Sequence, residues 1–210
     1  MSRNGRPDGL AVMRRGIATF LDGARLSAGA KRLAGAGVSA LVARAWRDEL
    51  LAGYGDDPAR ILTPLRSRST EDLIVLRDIE FSSICAHHLL PFSGSVHIAY
   101  APDGRITGLS RLGRLVDCLS RRLQIQEKLT RELADAIQRH LKPSGAACII
   151  EACHACMTMR GARKFHSRTV TAAFTGEFRR SVSARAEVMA LLGLRDRGVP
   201  PTRNPRASRR

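Results

Sequence analysis

Apolar positions set the outline of this chain. From about Val38, the residues Leu41, Val42, Ala45, Trp46, Leu50 and Leu51 recur at helical spacing and predict a helix that ends near Gly53. The turn-rich stretch GYGDDPARILTPL follows as a connector. LIVLRDIEFSSI and SGSVHIAYAP are rich in β-branched and aromatic residues with partial alternation, and the second closes at Pro102-Asp103-Gly104, so both read as strands. Ser110 suits an N-cap, and Leu112, Leu115, Val116 and Leu119 form the apolar stripe of a helix behind it. A second stripe, Ile125, Leu129, Leu133, Ile137 and Leu141, keeps i, i+4 spacing until Pro143 and Gly145 stop it. Two further β-rich runs, GAACIIEACHACMTM and SRTVTAAFTGEF, complete the order ββααββ.

That order predicts an α+β domain with the helix pair on one face of an antiparallel sheet. A four-stranded sheet leaves two edges to protect, so self-association is expected. Upstream, GLAVMRRGIATFLDGARL shows patchy helical periodicity. Three regions follow: a poorly defined, partly helical N-terminal region over 1–35, the main domain over 36–180, and a basic tail over 181–210. In RDRGVPPTRNPRASRR six Arg face one Asp among Pro, Gly and Ser, a composition that cannot bury a core and predicts mobility.

A chain of 210 residues is long enough for one domain with a sizeable core. Hydrophobic residues make up 44% and aromatics 4%, so that core should rest on Leu, Val, Ile and Ala. No apolar run approaches the roughly 20 residues needed to span a bilayer, and no apolar signal region follows the N-terminal charges. The expectation is a cytoplasmic protein with no membrane partner. Five cysteines, an odd number without a secretory signal, argue against a disulfide framework and leave thiols for metal. The net charge of +16 fits a nucleic-acid binder, a surface that attracts polyphosphates, or an arginine-rich genome, and does not separate them.

Cys85-Ala86-His87-His88 stands at the end of the first strand. Zinc prefers thiolate and imidazole, and a catalytic site needs three protein ligands with one position left to water. Cys85 and His88, three apart on a tight turn, can supply two, whereas His87 should point elsewhere. The bland alternative is a buried Cys beside two surface histidines. A third ligand is available in Cys153-His154-Ala155-Cys156. Alternation puts Cys153 and Cys156 on opposite faces of a strand, so one of them is structural unless the strand bends. A three-ligand site would leave His87 and His154 as general acids beside a metal-activated water. Ser110, Arg111, Arg114, Arg160, Arg163 and Lys164 suit a phosphorylated, planar substrate, since arginine forks match phosphate oxygens. Taken singly, each is an ordinary surface charge. Glu127 opens the second helix, where a carboxylate also simply favours the positive helix end.

The strings CAHHLLPFSGSVHIAY, GLSRLGRLVD, RRLQIQEKLT, EACHACMTMRGARK and SRTVTAAFTGEF together resemble the GTP cyclohydrolase I family, in family order, from about Val38 to Phe178. The resemblance implies a tunnelling-fold barrel of many subunits, a homodecamer, with active sites between subunits. It implies Zn2+ on Cys85, His88 and Cys156, catalytic roles for His87 and His154, guanine recognition by Gln126 and Glu127, and triphosphate binding by Ser110, Arg111, Arg114 and Arg160. It excludes Cys153 as a ligand. The implied reaction opens the imidazole ring of GTP at C8, releases formate and forms 7,8-dihydroneopterin triphosphate.

The departures are specific. Ala86 stands where most members carry Glu, Arg111 where they carry Lys, and Cys153 where they carry another residue. The usual Thr-Pro-x-Arg signature, whose arginine reaches a neighbouring subunit's phosphates, is replaced by Val38-Ser39-Ala40-Leu41. These mark the chain as a candidate divergent paralogue acting on another guanine nucleotide, though Leu41 also fits a core position. Two rivals differ in class. A nitrile reductase of the same fold would use a nucleophilic Cys without a zinc triad, and the His87-His88 pair speaks against it. A non-enzymatic nucleic-acid binder would need no zinc; on this reading nucleic acid binds only non-specifically, through the basic tail.

Overall fold

The structure is a computed structural model and describes residues 8–67 and 72–192. Helix α1 (Gly9–Gly23) starts at Asp8, whose carboxylate accepts the Leu10 amide at 3.1 Å, and α2 (Ala28–Ala34) starts at Ser27 in the same way. Helix α3 (Val38–Ala45) packs against α1, yet neither α1 nor α2 buries a residue. The helix predicted through Gly53 is broken. A π-helical turn, Trp46–Leu50, and a 3-10 turn, Ala52–Gly55, follow α3. The break lets Gly53 press on the C-terminal end of the helix Leu109–Ser120: its amide donates to the Arg121 carbonyl at 3.0 Å, and a Cβ there would overlap the Cys118 carbonyl. Leu41, counted in the apolar stripe, is 65% exposed and is not a core residue of this chain.

After α4 (Pro58–Ile61) and the short strand β1 (Leu65–Arg66) come the long strands β2 (Ile74–Cys85) and β3 (Pro91–Ala101). Strand β4 (Arg105–Ile106) pairs with β1. Helix α5 (Leu109–Ser120), strand β5 (Leu123–Gln124) and helix α6 (Gln126–Leu141) precede β6 (Gly145–His154). A four-residue helix α7 (Ala155–Thr158), β7 (Thr169–Thr175), α8 (Gly176–Arg180) and α9 (Val182–Leu191) complete the order. The expected ββααββ core is present. Its sheet has five strands rather than four, ordered β5-β2-β3-β6-β7, because the two residues of β5 add in parallel beside β2. A bulge between Leu76 and Ile79 curls β2, with Asp78 at φ 56° and its amide donating to Nδ1 of the buried His97 at 3.2 Å.

Three sequence boundaries shift. The first residue of α5 is Leu109 with Gly108 as N-cap, so Ser110 lies inside the first turn. The third predicted strand stops at His154 rather than running to Met159. Most consequential is the C-terminal region from 181. It begins as α9, capped by Ser181, and buries Val188 and Leu192 completely against Ala99, Ala147, Ile149 and Phe178 on the sheet face opposite the helix pair. Its small and polar residues, Ser183, Ala184, Ala186, Glu187 and Ala190, hid that apolar face. The arginine-rich stretch 193–210, together with 1–7, lies outside the described residues.

The main core fills the other face. Val96, Ile98, Tyr100, Cys148, Ile150 and Ala152 from the sheet meet Leu112, Leu115, Leu129, Leu133 and Ile137 from α5 and α6. Each fully buried aliphatic side chain contributes roughly 1.5–3 kcal/mol. This packing holds the ends of β2, β6 and α6 rigidly beside one another.

Candidate metal centre and active site

Strand β2 ends at Cys85, and the chain reverses at once. The His88 and Leu89 amides both donate to the Cys85 carbonyl, at 3.3 and 2.9 Å, while the Cys85 amide donates to Leu90 at 2.9 Å. This tight turn, closed by Leu89 at φ 55°, folds His88 back until its Nδ1 lies 3.6 Å from Cys85 Sγ. On the other side β6 gives way to α7 after His154, and that change of backbone carries Cys156 round to the same point. Ligand atoms of Cys85, His88 and Cys156 all lie within 4.8 Å of one another.

The donor set fits a metal ion. With metal–sulfur near 2.3 Å and metal–nitrogen near 2.05 Å, a tetrahedral site has a sulfur–nitrogen edge of about 3.6 Å, the separation found between Cys85 and His88. Burial pushes the Cys156 thiol up, and the neighbouring Cys85 sulfur adds to that, while the charge of Arg160 opposes it. A divalent cation would relieve the crowding of two sulfurs. Cys153 lies one strand position before His154, opposite Ser93, and is outside the converging group. The other two cysteines, Cys118 and Cys148, are core residues whose thiols burial pushes up.

His87, exposed on the same turn, stands with its ring 6.1 Å from that of His88 and nearly perpendicular to it. His154 is half-buried. Its ring stacks on Phe92 at 4.6 Å with a 3° interplanar angle, and its Nε2 lies 2.7 Å from Gln126 Oε1. Burial lowers its pKa, which favours the neutral imidazole, and the Glu127 carboxylate nearby pulls the other way. The Ala86 amide donates to the Gln124 carbonyl at 2.9 Å, which ties the start of α6 to the Cys85 turn. Gln126 and Glu127 in the first turn of α6, both histidines and the three-ligand group therefore gather at one end of the sheet.

Ser110, Arg111 and Arg114 do not join them in the single chain. They sit on the first half of α5, whose far end leads into β5 beside Cys85. At 1.5 Å per residue, about 15 Å of helix separates Ser110 from Ser120. Arg111 donates to the Ile61 carbonyl at 3.0 Å, and Arg114 lines a cavity of about 190 Å³ with Asp56, Asp117 and Arg121. Arg160, Arg163 and Lys164 follow α7 and are exposed, Arg160 near enough to Cys156 to act on its thiol.

The sequence reading passed over Phe92, Thr130 and Thr171. Thr130 Oγ1 donates to the Gln126 carbonyl at 2.7 Å and lies 2.6 Å from Thr171 Oγ1, which also meets Gln126 Nε2 at 3.1 Å. A polar residue four positions after Gln126 on the buried face of an amphipathic helix was the available signal.

No helix among the described residues is long and apolar enough to cross a membrane. The sequence profile described as GTP cyclohydrolase I matches residues 30–193. GTP cyclohydrolase 1 of Thermobifida fusca (strain YX) is 48% identical over 155 residues, 73% of this chain and 74% of that relative. GTP cyclohydrolase 1 of Chlorobium chlorochromatii (strain CaD3) is 48% identical over 152 residues, 72% of this chain and 68% of the relative. GTP cyclohydrolase 1 of Pelotomaculum thermopropionicum (strain DSM 13744 / JCM 10971 / SI) is 46% identical over 157 residues, 74% and 83% respectively. A solved structure of the archaeosine synthase QueF-Like in the apo form covers 51% of this chain at 17% identity and a TM-score of 0.43, too distant to bear on function. With a profile match across more than three quarters of its length and such relatives, the chain belongs to the GTP cyclohydrolase I family, a family of enzymes.

Proposed function

We propose that this chain is a zinc-dependent hydrolase that opens the imidazole ring of GTP at C8, releases formate and yields 7,8-dihydroneopterin triphosphate. The observation that carries the reading is the convergence of Cys85, His88 and Cys156 beside His87, His154 and Glu127, in a chain of this family. Two sulfurs and one imidazole suit Zn2+, which, held by these three ligands, would keep a position for water and lower its pKa to near 7.

The chain's own residues do the rest. Glu127 accepts from the exocyclic amino group and ring N–H of guanine, which orients C8 toward the metal centre. His87, next to a ligand without being one, gives a proton to N7 and so makes C8 electrophilic. His154 holds a ribose oxygen or moves a proton during hydrolysis of the formamide and the rearrangement that closes the new ring. Ser110, Arg111, Arg114 and Arg160 take the triphosphate.

The α5 geometry bears on assembly. Since Ser110 and Arg111 lie a helix length from the metal group, they serve that substrate in a neighbouring subunit, which favours a ring of subunits with sites at their interfaces and, by family resemblance, a homodecamer. A second reading, preference for a guanine nucleotide other than GTP, is favoured by the exposed Leu41 where the family usually supplies a phosphate-binding arginine. The test is to strip and restore Zn2+ and incubate the assembled protein with GTP. Formate and a dihydropterin ultraviolet spectrum should appear only with metal; neither appearing in fully loaded protein defeats the proposal.

A further inference from the structure

Gln126 is 1% exposed, and its side-chain amide has no ambiguity of direction. Nε2 lies 3.1 Å from the Ile150 carbonyl and 2.9 Å from the Thr169 carbonyl, and carbonyl oxygens only accept, so the NH2 end faces β6 and β7. Oε1 must then face His154, 2.7 Å away, and an amide oxygen also only accepts. The proton between them therefore belongs to His154 Nε2.

The hydroxyl pair closes the same circuit. Thr130 Oγ1 gives its proton to the Gln126 backbone carbonyl, so at 2.6 Å it must accept from Thr171, whose oxygen in turn accepts from Gln126 Nε2. The two Gln126 Nε2 protons are shared among three acceptors, the Ile150 and Thr169 carbonyls and Thr171 Oγ1, all of which keep the NH2 end away from His154. Thr130 is 1% exposed, so little water competes for these groups. Phe92, stacked parallel on the imidazole, holds its plane.

We propose that Gln126 is a positioning residue rather than a contact to the guanine base: backed by Ile150, Thr169, Thr130 and Thr171, it locks His154 with a proton on Nε2 and leaves Nδ1 as the ring nitrogen that meets the substrate. His154 then acts on the substrate through Nδ1, with Nε2 committed to Gln126. The first half of this proposal stands on geometry alone; the consequence for substrate rests on the reading given under Proposed function.

Neutron diffraction from perdeuterated, zinc-loaded protein without substrate reads the tautomer directly. Deuterium on Nε2 of His154 is expected, and deuterium on Nδ1 with Nε2 bare overturns the proposal. Kinetics of Gln126→Met, similar in length and without an amide, separate positioning from base contact. The expected result is kcat lower by about 10- to 100-fold, part of the usual worth of a positioned acid or base, with KM for GTP within about twofold. A raised KM at unchanged kcat would make Gln126 a guanine contact and overturn the proposal. If the wild-type protein showed the Nε2 proton yet turned over no GTP, the proposed function would fail and the tautomer assignment would stand.

Discussion

Leu41→Arg is the most informative substitution in the N-terminal helices. The residue is 65% exposed on α3, so an arginine there buries no charge. Leucine and arginine have nearly equal helix propensity, and surface changes of this kind stay within about 0.5 kcal/mol. Arg44, three residues on and exposed, adds like-charge repulsion of only a few tenths of a kcal/mol. The melting temperature should therefore move little. A charge-assisted hydrogen bond contributes about 1.5–3 kcal/mol, and with RT near 0.59 kcal/mol that lowers KM for GTP by roughly 10- to 150-fold. GMP, whose single phosphate does not reach as far, should change by less than about twofold. Steady-state kinetics on both nucleotides, with a melting curve as control, make the comparison. Equal changes in KM for GTP and GMP in a stably folded variant would refute the idea that position 41 faces a phosphate chain.

Other substitutions test separate links. Cys156→Ser should lose most of its bound zinc while Cys153→Ser keeps it, as metal analysis would show; full occupancy in Cys156→Ser would break the ligand assignment. His87→Ala should retain zinc and assembly yet release formate about 10² to 10⁴ times more slowly, and unchanged turnover would remove its role. Ending the chain after Arg180 removes Val188 and Leu192, two fully buried side chains worth together roughly 3–6 kcal/mol. Denaturant unfolding should show that loss, whereas an undiminished midpoint would mean that α9 is dispensable.

The core of the fold was legible because its signals are local. Leu112 to Leu119 and Leu129 to Leu141 repeat at helical spacing, and both stripes are buried where the pattern put them. The metal group was legible by residue type, but only the turn at Leu89 and the switch from β6 to α7 show how Cys85, His88 and Cys156 meet. Pattern reading missed α9, whose buried contacts, Val188 and Leu192, stand in a short helix otherwise rich in Ser and Ala and make sense only against the sheet. It also missed the Thr130–Thr171 pair, which joins residues 41 apart in sequence. Leu41 went astray for a related reason: an apolar residue in a helical stripe reads as core, yet Val42, Ala45 and Trp46 are half-buried while Leu41 itself is exposed.

The proposed ring opening turns on the fate of one carbon. GTP labelled with 13C at C8, incubated with the assembled, zinc-loaded protein and followed by NMR, should transfer its label entirely to formate, one formate for each unlabelled dihydropterin formed. Label retained in the nucleotide, or in a pterin, would contradict ring opening at C8 and with it the assignment of this site.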